Sequence, residues 1–455
     1  MFRLKWVYHS VATLAVVVGA IVFAPFLAAA QNMKGMPGMA MPSDPAMNPL
    51  GVSMDRMGSG TTWIPDALAI PSVQFSAADW QLALHGFAFG QYDMQSGPRG
   101  GNQLGSLNWA MLMATRAVAG GRFQARAMLS LDAATLRDGG YPLLLQTGET
   151  WKGKPLIDRQ HPHDFWMELG LQYERELTRD VGFSVYVAPS GEPALGPVAF
   201  MHRPSAMDNP EAGIGHHWQD ATHVSFGVVT AGIFSRRWKL EGSVFNGQEP
   251  DENRWNFDFH PLQSYSGRVT FNPDSSWSMS AGYGFIKEPE ASDAGHSMHR
   301  TSIALQHSRR LRMAGQWATT LIWGANAHAD EEGLSQSILA ESEAILDERN
   351  TVFGRAEYVQ KSAEDLGIAG TALTAADHGR FGVSRLSLGY IREIGTFGAA
   401  TIGLGAVGSV NFVPSALERT YGSSTPTGAT LFVRLRARIV PQHNMHDMHN
   451  MEMPK

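Results

Sequence analysis

The chain has 455 residues, a formal net charge of −6 and no cysteine. The lack of cysteine excludes disulfide bridges and thiolate metal sites, whereas this net charge discriminates little between classes of partner. The length would suffice for roughly two or three soluble domains. However, no linker divides the sequence, and it contains no phosphate-binding glycine loop and no nucleic-acid module.

Residues 1–30 have the pattern of a cleaved secretory signal. A basic start is followed by an apolar run at 11–27, and three alanines precede Gln31 as a small-residue cleavage site. A retained transmembrane helix is the alternative, because the apolar run is about as long as the shorter spanning helices. We predict a signal peptide over 1–30 and a Met-rich periplasmic segment over 31–79.

Methionine is concentrated in 31–60 and again in the predicted periplasmic tail at 441–455, where histidines stand between the methionines. Thioethers are soft ligands that favour Cu(I) and Ag(I), and imidazole also binds Cu(II). The proline, glycine and asparagine around them predict unstructured tails. A compositional bias without function is the alternative. The candidate metal ligands are Met33, Met36, Met39, Met41, His443, Met445, His446, Met448, His449, Met451 and Met453.

Between the tails, polar and apolar residues alternate. In 122–133 the odd positions are apolar and most even positions are polar, and in 427–440 leucine and valine alternate with arginine. A period of two indicates strands with one apolar and one polar face. The strands are long, arginine recurs on the polar face, and the connections are alternately short and long. These features favour a membrane barrel over a soluble sandwich.

About 16 strands are predicted, an even number as in single-chain bacterial barrels. The segment 335–346 could also form a helix, but the tight turn at 347–350 favours a strand. The predicted fold is an all-β, antiparallel up-and-down transmembrane barrel over 80–440, with long extracellular loops and both termini in the periplasm. The predicted strands are 80–93, 104–117, 121–134, 164–177, 181–189, 221–233, 236–247, 263–272, 276–287, 299–310, 313–328, 335–346, 350–361, 381–394, 396–412 and 427–440.

Three stretches should converge at the barrel mouth. DRQHPHDF (158–165) enters the fourth predicted strand at its outer end, and the next outer loop returns through GHHWQDATH (215–223). The seventh strand then leads into NGQEPDENRWNFDFHP (246–261). Because consecutive strands pair, these stretches are expected on one arc of the mouth. The candidate mouth cluster is His161, His163, Asp164, His202, His216, His217, Asp220, His223 and His260.

Imidazole and carboxylate together suit zinc, copper(II) or nickel, so the arc is a candidate metal site. One alternative is that histidine, tryptophan, aspartate and proline pack a long loop into the lumen as a constriction. The other is a surface enzyme. Since the sequence contains no H-E-x-x-H and no G-x-S-x-G, we do not expect an enzyme.

The signal, the Met-x-x-Met spacing of Met33, Met36 and Met39, and the barrel after them resemble the copper-resistance protein B class of outer-membrane proteins. This resemblance implies copper binding or tolerance at the outer membrane, with the tail methionines as ligands. It covers the architecture and the N-terminal spacing, whereas DRQHPHD and GHHWQDATH in the barrel are not part of it.

The sequence therefore predicts an outer-membrane barrel for copper or silver binding, tolerance or transport. No cofactor is required, but bound Cu(I), Cu(II) or Ag(I) is expected. The expected partners are the lipid bilayer, metal ions and periplasmic metal-handling proteins, and no nucleic acid. The alternative is a general or anion-preferring porin, because rings of arginine favour anions. The predicted lumen residues are Arg122, Arg126, Arg268, Arg434, Arg436 and Arg438.

Overall fold

The computed structural model describes residues 47–290, 295–311, 315–328, 333–368 and 380–438. These residues form mainly β-strands joined by loops. The strands are β1 (Ser72–Ala77), β2 (Trp80–Gln95), β3 (Gly101–Val118), β4 (Gly121–Leu129), β5 (Tyr141–Pro142), β6 (Glu149–Trp151), β7 (Lys154–Leu156), β8 (Arg159–Gln160), β9 (Trp166–Glu176), β10 (Gly182–Gly191), β11 (Ser225–Phe234), β12 (Trp238–Phe245), β13 (Ser264–Phe271), β14 (Trp277–Ile286), β15 (Met298–Arg310), β16 (Gln316–His328), β17 (Ser335–Ile345), β18 (Asn350–Ser362), β19 (Arg380–Phe397), β20 (Ala400–Phe412) and β21 (Thr427–Ala437).

Short helical turns lie in the loops. Among the described residues, no helix is long and apolar enough to cross a membrane. The helices are α1 (Asp132–Thr135), α2 (His216–Gln219) and α3 (Glu418–Tyr421), with 3₁₀ turns at Met54–Arg56, Phe200–His202, Ala221–His223 and Ser415–Leu417.

The main sheet closes into an antiparallel barrel. It contains 17 strands, of which β1 pairs only with β2. Each of the other sixteen pairs with the next barrel strand, and β21 returns to pair with β2. The remaining strands form two small sheets, β5 with β8 and β6 with β7. The prediction of an all-β up-and-down barrel of about 16 strands is confirmed, including β17 as a strand.

Predicted and observed strands differ most at β4, which ends at Leu129 rather than near residue 134. The chain turns away there because side chains hold it in another conformation. The Asp132 carboxylate accepts a hydrogen bond from the Asn108 backbone N–H at 2.7 Å, and the Asn108 side-chain oxygen accepts one from Leu131 N–H at 2.9 Å. Residues 132–135 therefore form α1 instead of extending the strand.

The outside of the barrel is apolar. Leu171, Val187, Leu240, Ile303 and Leu388 are among the exposed side chains of the strands. A closed sheet pairs all of its strand edges, and an apolar outer face can then contact lipid without leaving backbone groups unpaired. These two properties together make the molecule a bilayer-spanning barrel.

The N-terminal segment (47–71) enters the lumen. Its Trp63 packs with Leu50, Val52 and Phe234 in an apolar cluster, and the Thr61 carbonyl accepts a hydrogen bond from the ammonium group of Lys239 on β12. The expectation of an unstructured tail through residue 60 is therefore wrong for residues 47–60. Proline and glycine suggested disorder, but these few apolar side chains are enough to anchor the segment against the barrel wall.

The loop between β10 and β11, called the inner loop (192–224), folds into the lumen rather than outward. Every residue of 192–220 is buried. The loop reaches the opposite wall, where Arg203 pairs with Glu341 of β17 at 2.6 Å and Glu211 pairs with Arg385 of β19 at 2.7 Å. The inner loop and the N-terminal segment therefore both occupy the lumen.

Candidate metal centre

The end of the lumen that carries the long loops, which is the predicted outer end, brings together the stretches that were expected to converge. His161 and His163 precede β9, α2 begins with His216 and His217, and a 3₁₀ turn ends at His223. The pairing of β5 with β8 holds the chain just before the first two histidines. The inner loop supplies the other three, so the site depends on that loop entering the barrel.

These five histidines, called the His cluster, line a cavity of about 20 Å³. One ring nitrogen from each of His161, His216 and His217 lies within 4.8 Å of the other two. Nitrogen ligands of a tetrahedral ion lie roughly 3.3 Å apart when each bond is ~2.0–2.1 Å, so a small inward movement of the rings would complete a site. The other residues that line the cavity are Glu149, Asp164, Ala221, Val224, Glu249, Pro250 and Arg254.

Oxygen atoms orient the rings through Nδ1. Asp132 contacts Nδ1 of His163 at 2.7 Å, Asp220 contacts Nδ1 of His216 at 2.7 Å, and the Asp220 carbonyl oxygen contacts Nδ1 of His223 at 2.7 Å. If Nδ1 carries the proton and donates it to these oxygens, Nε2 is left as the metal-binding atom. Carboxylates behind imidazole ligands fix the ring and raise its basicity in many metal sites.

The two remaining histidines follow the same arrangement less regularly. Glu249 lies 2.9 Å from Nδ1 of His217, although not in hydrogen-bonding geometry, and Glu149 lies 3.5 Å from Nδ1 of His161. Within the described residues, Nε2 of His161, His217 and His223 is buried without a hydrogen-bond partner. Buried polar atoms usually have a partner, and a metal ion held between His161 and His217 would provide one for both.

Burial lowers the pKa of His161, His216, His217 and His223 and so favours the neutral imidazole, which is the form that binds a metal. It lowers the pKa of His217 and of His223 to about 3, and it lowers the pKa of His161 well below the usual range. Burial also raises the pKa of the Glu249 carboxyl to about 8. These groups belong to loops and not to the membrane-spanning strands.

Asp220 orients ligands from behind rather than facing the cavity. Its carboxylate contacts both the His216 ring and the Arg203 guanidinium, each at 2.7 Å. Although burial raises the pKa of Asp220, the charge of Arg203 and the contact with His216 outweigh it and lower the pKa below the usual range. Asp220 is therefore ionised while it holds the His216 ring.

Two residues of the predicted mouth cluster lie elsewhere. His260 is exposed on the loop after β12. His202 is buried against His85 of β2, with Nε2 atoms 3.4 Å apart. The sequence brought both into the cluster because their loops also supply residues to the cavity, but the loops are long enough to place these two histidines elsewhere.

The prediction missed four residues around the cavity. Asp132, Glu149, Glu249 and Arg254 each contact a histidine or a carboxylate of the site. Arg254 donates to Glu149 at 2.8 Å and to Asp164 at 3.2 Å, so it balances two of the buried charges. Glu249 and Arg254 stand inside the quoted stretch 246–261, but isolated charged residues in a loop carry no spacing that distinguishes them.

The tail methionines and histidines, Met33 to Met41 and His443 to Met453, lie outside the described residues, as does the predicted signal peptide. Of the neighbouring methionines, Met57 is buried in the lumen, where the Arg122 guanidinium contacts its sulfur at 3.6 Å. The prediction that the tails bind metal stays a prediction.

The predicted lumen arginines face inward, except Arg438, which is exposed after the end of β21. Each of the five has a carboxylate partner, which the sequence did not indicate. A continuous surface of uncompensated arginine is therefore not present among these five residues. The pairs are Arg122–Glu174, Arg126–Glu168, Arg268–Glu241, Arg434–Asp208 and Arg436–Asp208.

Gly148 is required for the position of His217. Its φ is +118°, and a Cβ atom there would lie 2.2 Å from Cε1 of the His217 ring. We expect Gly148→Ala to displace this ring and to weaken metal binding about tenfold without removing a ligand. A Co²⁺ titration would measure the change. Gly153→Ala is the control, because Gly153 also has a positive φ (+70°) but no described atom lies within 4 Å of its Cβ position. Equal effects of the two substitutions would contradict this role of Gly148.

No protein-family model and no curated protein matches the chain. Solved structures that resemble it include the outer-membrane protein OmpT of Vibrio cholerae (9% identity, TM-score 0.45), which covers 80% of this chain and 99% of that one. An anion-selective porin from Comamonas acidovorans has 11% identity and a TM-score of 0.44, with 78% of this chain and 99% of that one covered. The outer membrane channel DcaP of Acinetobacter baumannii has 10% identity and a TM-score of 0.45, with 79% and 98% covered. At this level of similarity, function has to be inferred from the residues of the lumen.

Proposed function

We propose that this chain is an outer-membrane barrel that binds copper inside its filled lumen and serves copper tolerance or transport. The observation that carries the proposal is the His cluster, in which five imidazoles surround a cavity of about 20 Å³. Neutral imidazole suits copper, zinc and nickel, and copper(II) binds such ligands more tightly than the other divalent first-row ions. The site lies at the outer end of the lumen, so it would meet ions that arrive from outside.

Two further features support copper. The methionines and histidines of the tails are ligands that favour Cu(I) or Ag(I), and on the predicted topology both tails are periplasmic. The resemblance to the copper-resistance protein B class concerns the same N-terminal methionines. In this proposal, the His cluster receives the ion and the tails hold it or pass it to periplasmic metal-handling proteins.

The alternative of a general or anion-preferring porin finds less support in the lumen. Anion preference requires arginines whose charge reaches an open, water-filled path. Here Arg268 pairs with Glu241 at 3.1 Å and Arg434 pairs with Asp208, and the inner loop fills the space between the walls. The expectation that the chain is not an enzyme stays a prediction.

The first test is a Co²⁺ titration of the full-length barrel in detergent, because the visible absorption of Co²⁺ reports nitrogen ligation. We expect His216→Ala combined with His217→Ala to weaken binding about 100-fold, since two imidazole ligands are lost. A Cu²⁺ titration against a competing chelator should show the same difference once the methionines and histidines of 33–41 and 443–453 are replaced by serine in both proteins.

His260→Ala is the matched control, because this histidine is exposed on a nearby outer loop. The control should bind as tightly as the unmodified chain. If the double variant folds and keeps full affinity, the His cluster is not a metal site. In that case the five histidines only pack the inner loop into the lumen.

A further inference from the structure

A second pair of histidines faces each other next to the His cluster. His202 lies in the same 3₁₀ turn as Phe200, whose ring packs against His163 at 6.2 Å between centroids. His85 projects from β2, and its Nε2 lies 3.4 Å from Nε2 of His202. Both rings are buried, with 5% and 3% of their surface exposed. β2 and the inner loop, which are distant in sequence, therefore place two imidazole nitrogens next to each other.

Hydrogen bonding accounts poorly for this pair. A distance of 3.4 Å exceeds the usual range of about 2.7–3.2 Å for a strong hydrogen bond. Within the described residues, Nδ1 of His202 is buried without a partner. Two buried imidazoles thus share at most one weak hydrogen bond, although such groups are normally satisfied. The arrangement lacks an acceptor or a cation.

Thioether groups lie on the same inner surface. Met111 of β3 is directly opposite His85, and Met128 of β4 is directly opposite Met111. Directly paired residues on one face have Cβ atoms about 4.5–5.5 Å apart. Both methionines are buried, at 1% and 3% exposure, in one apolar cluster with Trp109. The strand register therefore places the Met111 side chain on the same face of the sheet as His85.

The distances suit a small, soft ion. An ion bonded to both nitrogens at ~2.0 Å, with the nitrogens 3.4 Å apart, makes an angle of roughly 115° at the metal. This angle is close to trigonal and leaves one direction for a thioether. Imidazole and thioether ligands without a carboxylate favour Cu(I) and Ag(I) over divalent ions. The positive charge of Arg126, which reaches both rings, is balanced by Glu168 at 3.1 Å.

We propose that His85, His202 and Met111 form a second metal site, which binds a monovalent soft ion such as Cu(I) or Ag(I). This site deepens the proposed function and rests on it, because the ion must first enter the lumen past the His cluster. The two sites differ in chemistry: the His cluster offers nitrogen with carboxylates behind it, and the second site offers nitrogen and sulfur. No change in the oxidation state of the ion is part of the proposal.

Ag⁺ is the probe, because it is redox-inert and needs no reductant. The protein is the full-length chain in which the methionines and histidines of 33–41 and 443–453 are replaced by serine, so that the tails do not bind the ion. Calorimetric titration against a competing ligand should show Ag⁺ bound by this chain. We expect Met111→Leu to weaken that binding about tenfold and His85→Phe to abolish it.

Met113→Leu is the control, since Met113 is also buried on β3 but lies opposite Ala83 rather than His85. It should bind Ag⁺ as the parent does. Equal affinity of the Met111 and Met113 variants would overturn the second site, and this comparison holds even if His85→Phe does not fold. Loss of Ag⁺ binding only in the His216→Ala, His217→Ala double variant would overturn it too, because the ion would then lie in the His cluster.

Co²⁺ binding to the same variants separates this proposal from the first. We expect Met111→Leu to leave the Co²⁺ affinity of the His cluster unchanged. If Co²⁺ binds normally but the Ag⁺ affinity is unchanged by substitution of Met111 and His85, only the proposal of the second site is wrong. If Co²⁺ does not bind to the unmodified chain at all, the proposed function itself is wrong.

Discussion

A chain that lacks residues 195–219 should conduct ions through planar bilayers at least about tenfold better than the complete chain. The reason is the position of the inner loop, which is buried throughout this range and crosses the lumen to β17 and β19. A cavity of about 820 Å³ lies at the end of the barrel that carries the short turns and is lined partly by Arg436. Arg436 also contacts Asp208 of the inner loop at 3.3 Å, so the inner loop lies next to the wall of this cavity.

The control for this experiment is a deletion of residues 423–425, which lie on an exposed outer loop between β20 and β21. That protein should conduct as little as the complete chain. Single-channel recording of all three proteins, with circular dichroism to verify strand content, gives the comparison. High conductance of the complete chain would mean that the inner loop does not close the lumen. A folded deletion variant that remains silent would mean that the N-terminal segment closes it alone.

The barrel could be predicted because one face of each strand contacts lipid and the other face points into the lumen. In β21 the buried Phe432 and Arg434 alternate with the half-buried Leu431, Val433 and Leu435, so the lipid-facing positions alone reveal the strand. Tight connections such as 119–120 between β3 and β4 then fix which ends lie together. Period and turn length are local properties, and a single sequence contains them completely.

The contents of the lumen could not be predicted in the same way. The inner loop has no periodicity, and its direction is decided by contacts with strands far along the chain, such as Ile214 N–H to Glu357 at 2.7 Å. The N-terminal segment likewise depends on Asn272, which lies in the turn between β13 and β14. Its side chain donates a hydrogen bond to the Ile64 carbonyl at 3.0 Å. Nothing near residues 64 or 214 in sequence indicates these partners.

The candidate site shows the same limit at smaller scale. Strand order was enough to bring His161, His163 and the GHHWQDATH stretch to one arc, and they do line one cavity. The second site was missed because His85 and Met111 lie inside strands, where they read as ordinary members of an alternating pattern. Only the observed register places Met111 opposite His85, and only the folded inner loop adds His202.

The ion pairs in the lumen join either two neighbouring strands or a strand and the inner loop, and only the first kind follows from the strand register. Arg268 and Glu241 are directly opposite on β13 and β12, so their 3.1 Å contact follows once the register is known. Arg434 instead pairs with Asp208, which comes from the inner loop. An arginine-rich strand therefore indicates an inward face, but the net charge of the lumen depends on segments that fold into it later.

Asp208→Asn should lower the free energy of unfolding by about 3–5 kcal/mol, because removal of one partner from a buried ion pair leaves the other charge uncompensated. Asp208 is fully buried and contacts both Arg434 and Arg436, and after the substitution these two cations share the Glu393 carboxylate. Asparagine keeps the shape of the side chain, so the loss reports charge rather than packing. Urea unfolding in detergent, followed by tryptophan fluorescence, would measure it.

Asp79→Asn is the control for this measurement, because it removes a carboxylate from an exposed ion pair. Asp79 pairs with Arg116 at 3.1 Å, but 66% and 38% of the two side chains are exposed, and surface pairs contribute only about 0–1 kcal/mol. A large difference between the two variants would establish that the inner loop is held in the lumen by charge on the opposite wall. Similar small losses would mean that water reaches Arg434 and Arg436, and that the inner loop is held instead by its apolar contacts and can leave the lumen at little cost.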